Sequence, residues 1–212
     1  MVRVFLLDDH SLVRTGFRLI VSDQPDMEVI GEACTGEDGL LLIRSLRPDV
    51  VVCDLHLPGV SGLEVTERIA QWNQSTRVII VSVQEDGPMP RKLLEAGASG
   101  YLGKGCEAHE LLRAIREVAA GRRYLAPPVA QMLALGALYG ASSPFERLSP
   151  RELEVSMMLC QGRRMEDIAQ HLKLSAKTVS THKYRAFEKL GIQDVVTLSR
   201  LALQYGLTQA CG

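Results

Sequence analysis

Two hydrophobic periods alternate along the first 120 residues. Short apolar runs, rich in β-branched residues, occur at residues 3–7, 27–33, 50–53, 78–83 and 100–102. Between them, apolar positions recur at helical spacing. Residues 10–21 carry Leu12, Val13, Phe17, Leu19 and Ile20, and similar stripes cover residues 36–46, 63–72, 89–96 and 107–120. Apolar runs of four to eight residues read as buried strands, and the stripes read as amphipathic helices. Five strands alternating with five helices predict βαβ units, hence an α/β unit with a parallel sheet covered by helices on both faces.

The pattern then changes. Residues 126–145 contain no charged residue, open on Pro127-Pro128 and end in the turn-rich stretch 140–144. Residues 123–145 are therefore expected to form a linker, with a short apolar helix at 129–139 that packs on one domain or on a second subunit. Beyond it Ser149-Pro150-Arg151-Glu152 is a helix start: a capping serine, proline at the first helical position, and glutamate completing a capping box. That helix runs to Gln161 and Gly162 stops it. Further helices are predicted at 165–172, at 176–190 between Ser175 and Gly191, and from Asp194 onward. The result is an all-α four-helix domain over residues 146–212. Its second and third helices meet at the tight turn Lys173-Leu174, in helix-turn-helix fashion.

Charge supports two jobs. The net charge is −1, but residues 1–125 hold 14 Lys/Arg against 18 Asp/Glu, while residues 126–212 hold 10 against 7. A basic half joined to an acidic one suggests a nucleic-acid partner for the basic half. No apolar run is long enough to span a bilayer. Residues 1–3 lead straight into a strand pattern, so no secretory signal is expected and the reading is cytoplasmic, with no membrane partner. The five scattered cysteines lack metal-ligand spacing, which suits small thiols in a reducing compartment.

In open parallel sheets, function sits outside the carboxyl ends of the strands. The polar residues gather there: Asp8 and Asp9 after strand one, Asp54 after strand three, Ser82 at the end of strand four, Lys104 after strand five. Each alone is ordinary, a turn former, a helix cap or a solvated lysine. Their arrival at one edge is the signal. Three neighbouring carboxylates repel one another, and an oxygen-only cluster suits Mg²⁺, which readily bridges to phosphate. Asp54 is the candidate nucleophile, forming an acyl phosphate. Mg²⁺ and Lys104 would neutralise the phosphoryl oxygens, with Ser82 donating a hydrogen bond to one of them. Gly103-Lys104-Gly105 is not a phosphate loop, because Ala98 stands where the Walker pattern needs glycine and Gly105 where it needs Ser or Thr.

The stretches Leu-Leu-Asp-Asp-His (6–10), Val-Cys-Asp-Leu-His-Leu-Pro-Gly-Val-Ser-Gly (52–62), Ile-Val-Ser (80–82) and Ala-Gly-Ala-Ser-Gly-Tyr-Leu-Gly-Lys (96–104) resemble the receiver domain of two-component response regulators, over residues 1–122. The resemblance implies a flavodoxin-like fold with strand order 2-1-3-4-5. It also implies Asp54 as phosphoacceptor, Asp8 and Asp9 as Mg²⁺ ligands with Asp54, Ser82 as switch hydroxyl and Lys104 as phosphate partner. Tyr101 matches the family's switch aromatic; the plainer reading is a tyrosine half-buried on an edge strand. The segment 84–90, with Pro88 and Pro90, departs from the family's usual pattern where the fourth helix begins.

In helix 176–190, Val179, Ala186, Phe187 and Leu190 form the core stripe. Lys177, Ser180, Thr181, Tyr184, Arg185 and Glu188 point outward, and Lys183 falls toward the stripe with its ammonium free to reach a phosphate. The candidate DNA contacts are Lys177, Thr178, Ser180, Thr181, Lys183, Tyr184 and Arg185. The pattern alone also allows a four-helix domain with a solvated basic face. Leu-Ser-Pro-Arg-Glu-Leu-Glu-Val (148–155), Asp-Ile-Ala-Gln-His-Leu (167–172) and Leu-Ser-Ala-Lys-Thr-Val-Ser-Thr-His (174–182) resemble the LuxR/NarL-type helix-turn-helix. The continuation to Ile192 is most similar to the GacA/UvrY subgroup, which implies a sensor histidine kinase of the GacS/BarA kind. The expectation is a phosphorylation-controlled transcriptional regulator, not an enzyme, that binds DNA and forms a homodimer on activation. The competing reading is a receiver that acts as an interaction module without phosphorylation.

Overall fold

A computed structural model describes residues 1–72, 75–83, 88–139, 143–205 and 207. The chain divides into two compact units. The first holds Met1–Glu85 and Pro90–Gln131, and the second carries everything from Met132 on. The expected features at residues 84–87 and 140–142 lie outside the described residues.

In the first unit, strands and helices alternate: β1 Val2–Leu7, α1 Ser11–Ser22, β2 Met27–Ala33, α2 Gly36–Leu46, β3 Val50–Asp54, α3 Gly62–Trp72, β4 Arg77–Ser82, α4 Met89–Glu95, β5 Gly100–Gly103 and α5 Ala108–Ala119. With a further short strand, β6 Tyr124–Leu125, all strand pairs are parallel, in the order β2-β1-β3-β4-β5-β6. The sheet has one strand more than expected. Tyr124–Leu125 forms β6 alongside β5, so β5 is not an edge. Two residues are too few to show a period of two, and only the neighbouring backbone makes them a strand.

The core lies on both faces of β1, β3 and β4. Val4 to Leu7, Val50 to Cys53 and Val78 to Val81 are almost wholly buried. Their continuous apolar runs are what a sheet covered on both sides requires. The segment after α5 stays with this unit. The Ala126 N–H donates to the Tyr101 carbonyl (3.0 Å), and Ala126 and Val129 are buried. Helix α6, Pro127–Tyr139, begins there and covers the expected linker helix.

The second unit contains a 3-10 turn, Pro144–Arg147, and helices α7 Pro150–Cys160, α8 Met165–His171, α9 Ala176–Leu190 and α10 Val195–Gln204. The predicted starts are real caps. Ser149 and Glu152 form a reciprocal capping box on α7, Ser175 accepts from the Thr178 N–H on α9, and Asp194 accepts from the Thr197 N–H on α10. Gly191 ends α9 in the left-handed region (φ 67°). Lys173, between α8 and α9, is also left-handed (φ 52°), a conformation unusual for a side chain of its kind. Ile168, Val179, Ala186, Leu198 and Ala202 make the core, while Leu190 is half-buried.

Candidate phosphoryl-transfer edge and nucleic-acid face

The strand β3 pairs with β1 on one side and β4 on the other, which leaves Asp54 at its carboxyl end opposite Val81. Its carboxylate is buried. The His56 N–H donates to Asp54 Oδ1 (3.3 Å), so the loop after the strand aims the side chain. That loop turns back tightly: the Gly62 N–H donates to the Leu55 carbonyl (3.0 Å), and a Cβ at Gly62 would lie 2.2 Å from the Asp54 carbonyl oxygen. Only glycine allows α3 to start this close to the strand.

Asp8 sits at the end of β1 and is also buried. The His10 N–H donates to Asp8 Oδ1 (2.8 Å), and Arg14 Nη1 donates to the Asp8 carbonyl (2.7 Å) while its Nε bonds Glu32. Lys104 comes from the loop after β5. Its backbone N–H donates to the Ser82 carbonyl (2.8 Å), which pins that loop to the end of β4. Its ammonium lies 2.9 Å from Asp54 Oδ2 and 3.0 Å from Asp8 Oδ2. Burial pulls the pKa of Lys104 down, but the contacts to Asp54 and Asp8 outweigh it and hold the pKa above the ordinary lysine value, so the group stays charged. Burial, reinforced by the same two carboxylates, pushes the adjacent Cys53 thiol far up, which keeps it an inert hydrophobe.

Asp9 is half-buried and completes the cluster, and a fourth group joins it that sequence reasoning did not single out. His10 Nδ1 lies 2.7 Å from Asp9 Oδ1, 3.2 Å from Asp8 Oδ1 and 3.9 Å from Asp54 Oδ2. Its position directly after Asp8-Asp9 was the available signal. The ligand atoms of Asp8, Asp9, His10 and Asp54 all lie within 4.8 Å of one another. Asp8 Oδ2 and Asp9 Oδ1 are buried and receive no directed hydrogen bond; the Lys104 ammonium lies beside the first and the His10 ring beside the second. A cluster of carboxylate oxygens with unused lone pairs fits a hard divalent cation.

Ser82 is buried at the carboxyl end of β4, in register with Gly103 of β5. Tyr101 is fully buried, not half-buried as an edge-strand tyrosine would be, because β6 lies outside its strand.

On α9, Lys177, Thr181, Tyr184 and Arg185 are exposed, Tyr184 by 72%. Thr178, Ser180 and Lys183 are half-buried. Two hydroxyls are engaged within the helix. Thr178 Oγ1 lies 2.8 Å from Ser175 Oγ, and Thr181 Oγ1 donates to the Lys177 carbonyl (2.9 Å). Lys183 packs as its place near the stripe suggested, with Nζ 5.3 Å from the centroid of the Phe187 ring. An interaction that the sequence did not reveal ties the helix to its scaffold: Lys189 Nζ lies 2.6 Å from Glu152 Oε2, the oxygen that also accepts from the Ser149 N–H (2.7 Å).

Comparison with known families decides what these two units are. The response regulator receiver domain family matches residues 4–116, and the family of bacterial regulatory proteins of the LuxR type matches residues 146–202. The chain belongs to the response regulators. It joins a receiver domain to a LuxR-type DNA-binding domain of transcription regulators. It is 42% identical over 212 residues to the response regulator GacA of Pseudomonas aeruginosa, across 99% of both chains. It is equally 42% identical over 212 residues to the response regulator UvrY of Escherichia coli K12, across 99% of this chain and 97% of the other. Among solved structures, it is similar to RcsB from Salmonella enterica serovar Typhimurium bound to a promoter in the presence of the phosphomimetic BeF3−. The TM-score is 0.70 at 25% identity, over 94% of this chain and 97% of that one. Among the described residues, no helix is long and apolar enough to cross a membrane.

Proposed function

We propose that this response regulator accepts a phosphoryl group on Asp54 from a sensor histidine kinase of the GacS/BarA kind. The observation that carries the reading is the single charged ammonium of Lys104 poised between Asp54 and Asp8, beside carboxylate oxygens that lack directed donors. An Asp54 oxygen attacks the phosphorus of the kinase phosphohistidine, the P–N bond breaks, and the imidazole leaves with the electron pair. Asp8, Asp9 and Asp54 would hold Mg²⁺, which supplies charge neutralisation on the phosphoryl oxygens. Lys104 then pairs with a phosphoryl oxygen instead of a bare carboxylate, and Ser82 donates a hydrogen bond to another. Movement of Ser82 is read by Tyr101, and the phosphoryl group favours one pre-existing conformation of the receiver.

The output is a cytoplasmic, DNA-bound homodimer that presents two copies of α9 to half-sites about 34 Å apart. Lys177, Thr178, Ser180, Thr181, Lys183, Tyr184 and Arg185 supply the contacts, those nearer the start of the helix to base edges and the longer cations to phosphates. The protein is a switch and not an enzyme that turns over a substrate. Incubation with a small phosphodonor and Mg²⁺ is expected to add about 80 Da, one phosphoryl group, to Asp54. Mass spectrometry of the intact protein and its peptides reads the adduct. Its absence overturns the mechanism in favour of a receiver that works unphosphorylated.

A further inference from the structure

The opposite edge of the same sheet carries a second charged site. At the amino ends of β4, β5 and β6 lies a cavity of about 370 Å³. Arg77 is the first residue of β4, Ser99 immediately precedes β5, and Arg122 and Arg123 immediately precede β6. All four line the cavity, and no acidic residue does so among the described residues. Because the strands are parallel, their amino ends necessarily meet at one edge, so cations from β4 and from the α5–β6 connection converge although 45 residues separate Arg77 from Arg122.

All three arginines are exposed, and they differ in how they are paired. Arg122 is engaged by Glu117. Arg77 and Arg123 make no ion pair or side-chain hydrogen bond among the described residues. The Asp49 carboxylate accepts from the Arg3 N–H (2.8 Å), and Arg77 meets Asp49 through its backbone N–H, which donates to the Asp49 carbonyl (2.9 Å). Residues 1–125 hold 18 acidic side chains against 14 basic ones. Two guanidiniums without an acid partner and a third paired with Glu117 thus line a concave surface that carries no acid among the described residues. Ser99, buried on the cavity wall, adds a hydroxyl with no hydrogen bond of its own among the described residues, while the neighbouring Thr76 hydroxyl is committed to the Pro48 carbonyl (2.7 Å).

We infer that this cavity binds a small molecule bearing a phosphate or pyrophosphate group. The guanidinium fork matches phosphate oxygens in bidentate fashion, and the volume falls in the range of small-molecule sites. The site is independent of the acidic edge. It needs neither Asp54 nor a divalent cation, and its ligand would grip the starts of β4 and β5, the strands that present Ser82 and Lys104 at their far ends.

Isothermal titration of the full chain with pyrophosphate and with ADP, in EDTA and at constant ionic strength, tests this. Saturable binding of one ligand per chain is expected for at least one probe. The double variant Arg77→Gln, Arg123→Gln should weaken it by about tenfold or more, since each guanidinium supplies charge-assisted hydrogen bonds. Amide NMR shifts on adding the probe should centre on Ser99 and Arg122. Absence of saturable binding by either probe, undiminished binding by the variant, or shifts centred on Asp8, Asp9 and Lys104 overturns the proposal. If the variant does not fold, the shifts of the unaltered chain decide.

Discussion

Lys104 holds the balance of charge at the acidic edge. Its ammonium touches two buried carboxylates that would otherwise repel each other. Lys104→Ala should slow phosphorylation of Asp54 by a small phosphodonor about a hundredfold, the typical loss when one preorganised group that stabilises developing charge is removed. The rate of appearance of the mass adduct measures it, and an unchanged rate would separate Lys104 from the chemistry. His182 makes a prediction of a different kind. Its Nδ1 is buried without a hydrogen bond, and burial, countered by Glu152 and aided by Arg151 and Arg185, lowers its pKa below 6.5. The folded chain then binds fewer protons than the unfolded chain between that lowered value and 6.5, so this contribution to stability is present above about 6.5 and lost as pH falls through the folded value. Hydrogen-exchange protection of α7 and α9 should drop from about pH 7 to about pH 5.5 after correction for intrinsic exchange, and His182→Gln should flatten the drop. The Glu152 carboxyl is pushed up by burial but pulled further down by Lys189 and Ser149, to below 4.5, so its own contribution fades only in more acid solution.

Helix starts are the elements most plainly written in this chain, and α7 shows what their caps do beyond starting a helix. Glu152 Oε2 closes the capping box and receives Lys189 from the last turn of α9. One carboxylate thus fixes the entry of α7 and the far end of the candidate recognition helix. Glu152→Ala should destabilise the LuxR-type domain by about 2 kcal/mol, the sum of a lost cap and a lost partly exposed ion pair. Lys189→Ala should cost well under half of that, because the Ser149 N–H still satisfies the carboxylate. Urea unfolding monitored through exchange of the α7 and α9 amides distinguishes the two, and equal losses would contradict the shared-oxygen arrangement. The capping box was legible as Ser-Pro-Arg-Glu, a local spacing. The Lys189 contact was not, because 37 residues separate the partners and either charge is ordinary on a helix surface.

In the molecule as a whole, the acidic and basic halves correspond to input and output. Lys177 and Tyr184 are exposed on α9 and clear of its core stripe. Lys177→Ala should weaken operator binding and lower the slope of log affinity against log salt by about one, as loss of one phosphate contact does. Tyr184→Ala should weaken binding with the slope unchanged. Filter binding or fluorescence anisotropy across salt concentrations checks both, and unchanged affinity in both would remove them from the reading surface.

The alternation of short apolar runs with helical stripes, the capping residues and the runs that lead to Asp8, Asp54 and Lys104 were enough to establish strand-helix alternation, four later helices and an acidic edge. These are local signals, carried by residues within one turn or one strand of each other. The last strand, Tyr124–Leu125, was invisible because it is shorter than any period and exists only where β5 offers a partner. Its presence buries Tyr101, which a five-stranded sheet would leave on an edge. The bond from Lys189 to Glu152 and the meeting of Arg77 with Arg122 and Arg123 depend on backbone direction and strand register across long stretches of chain. Periodicity tells which side of an element faces the core. Which charges meet at the end of a sheet is set by how the elements are stacked, and that is a property of the folded chain.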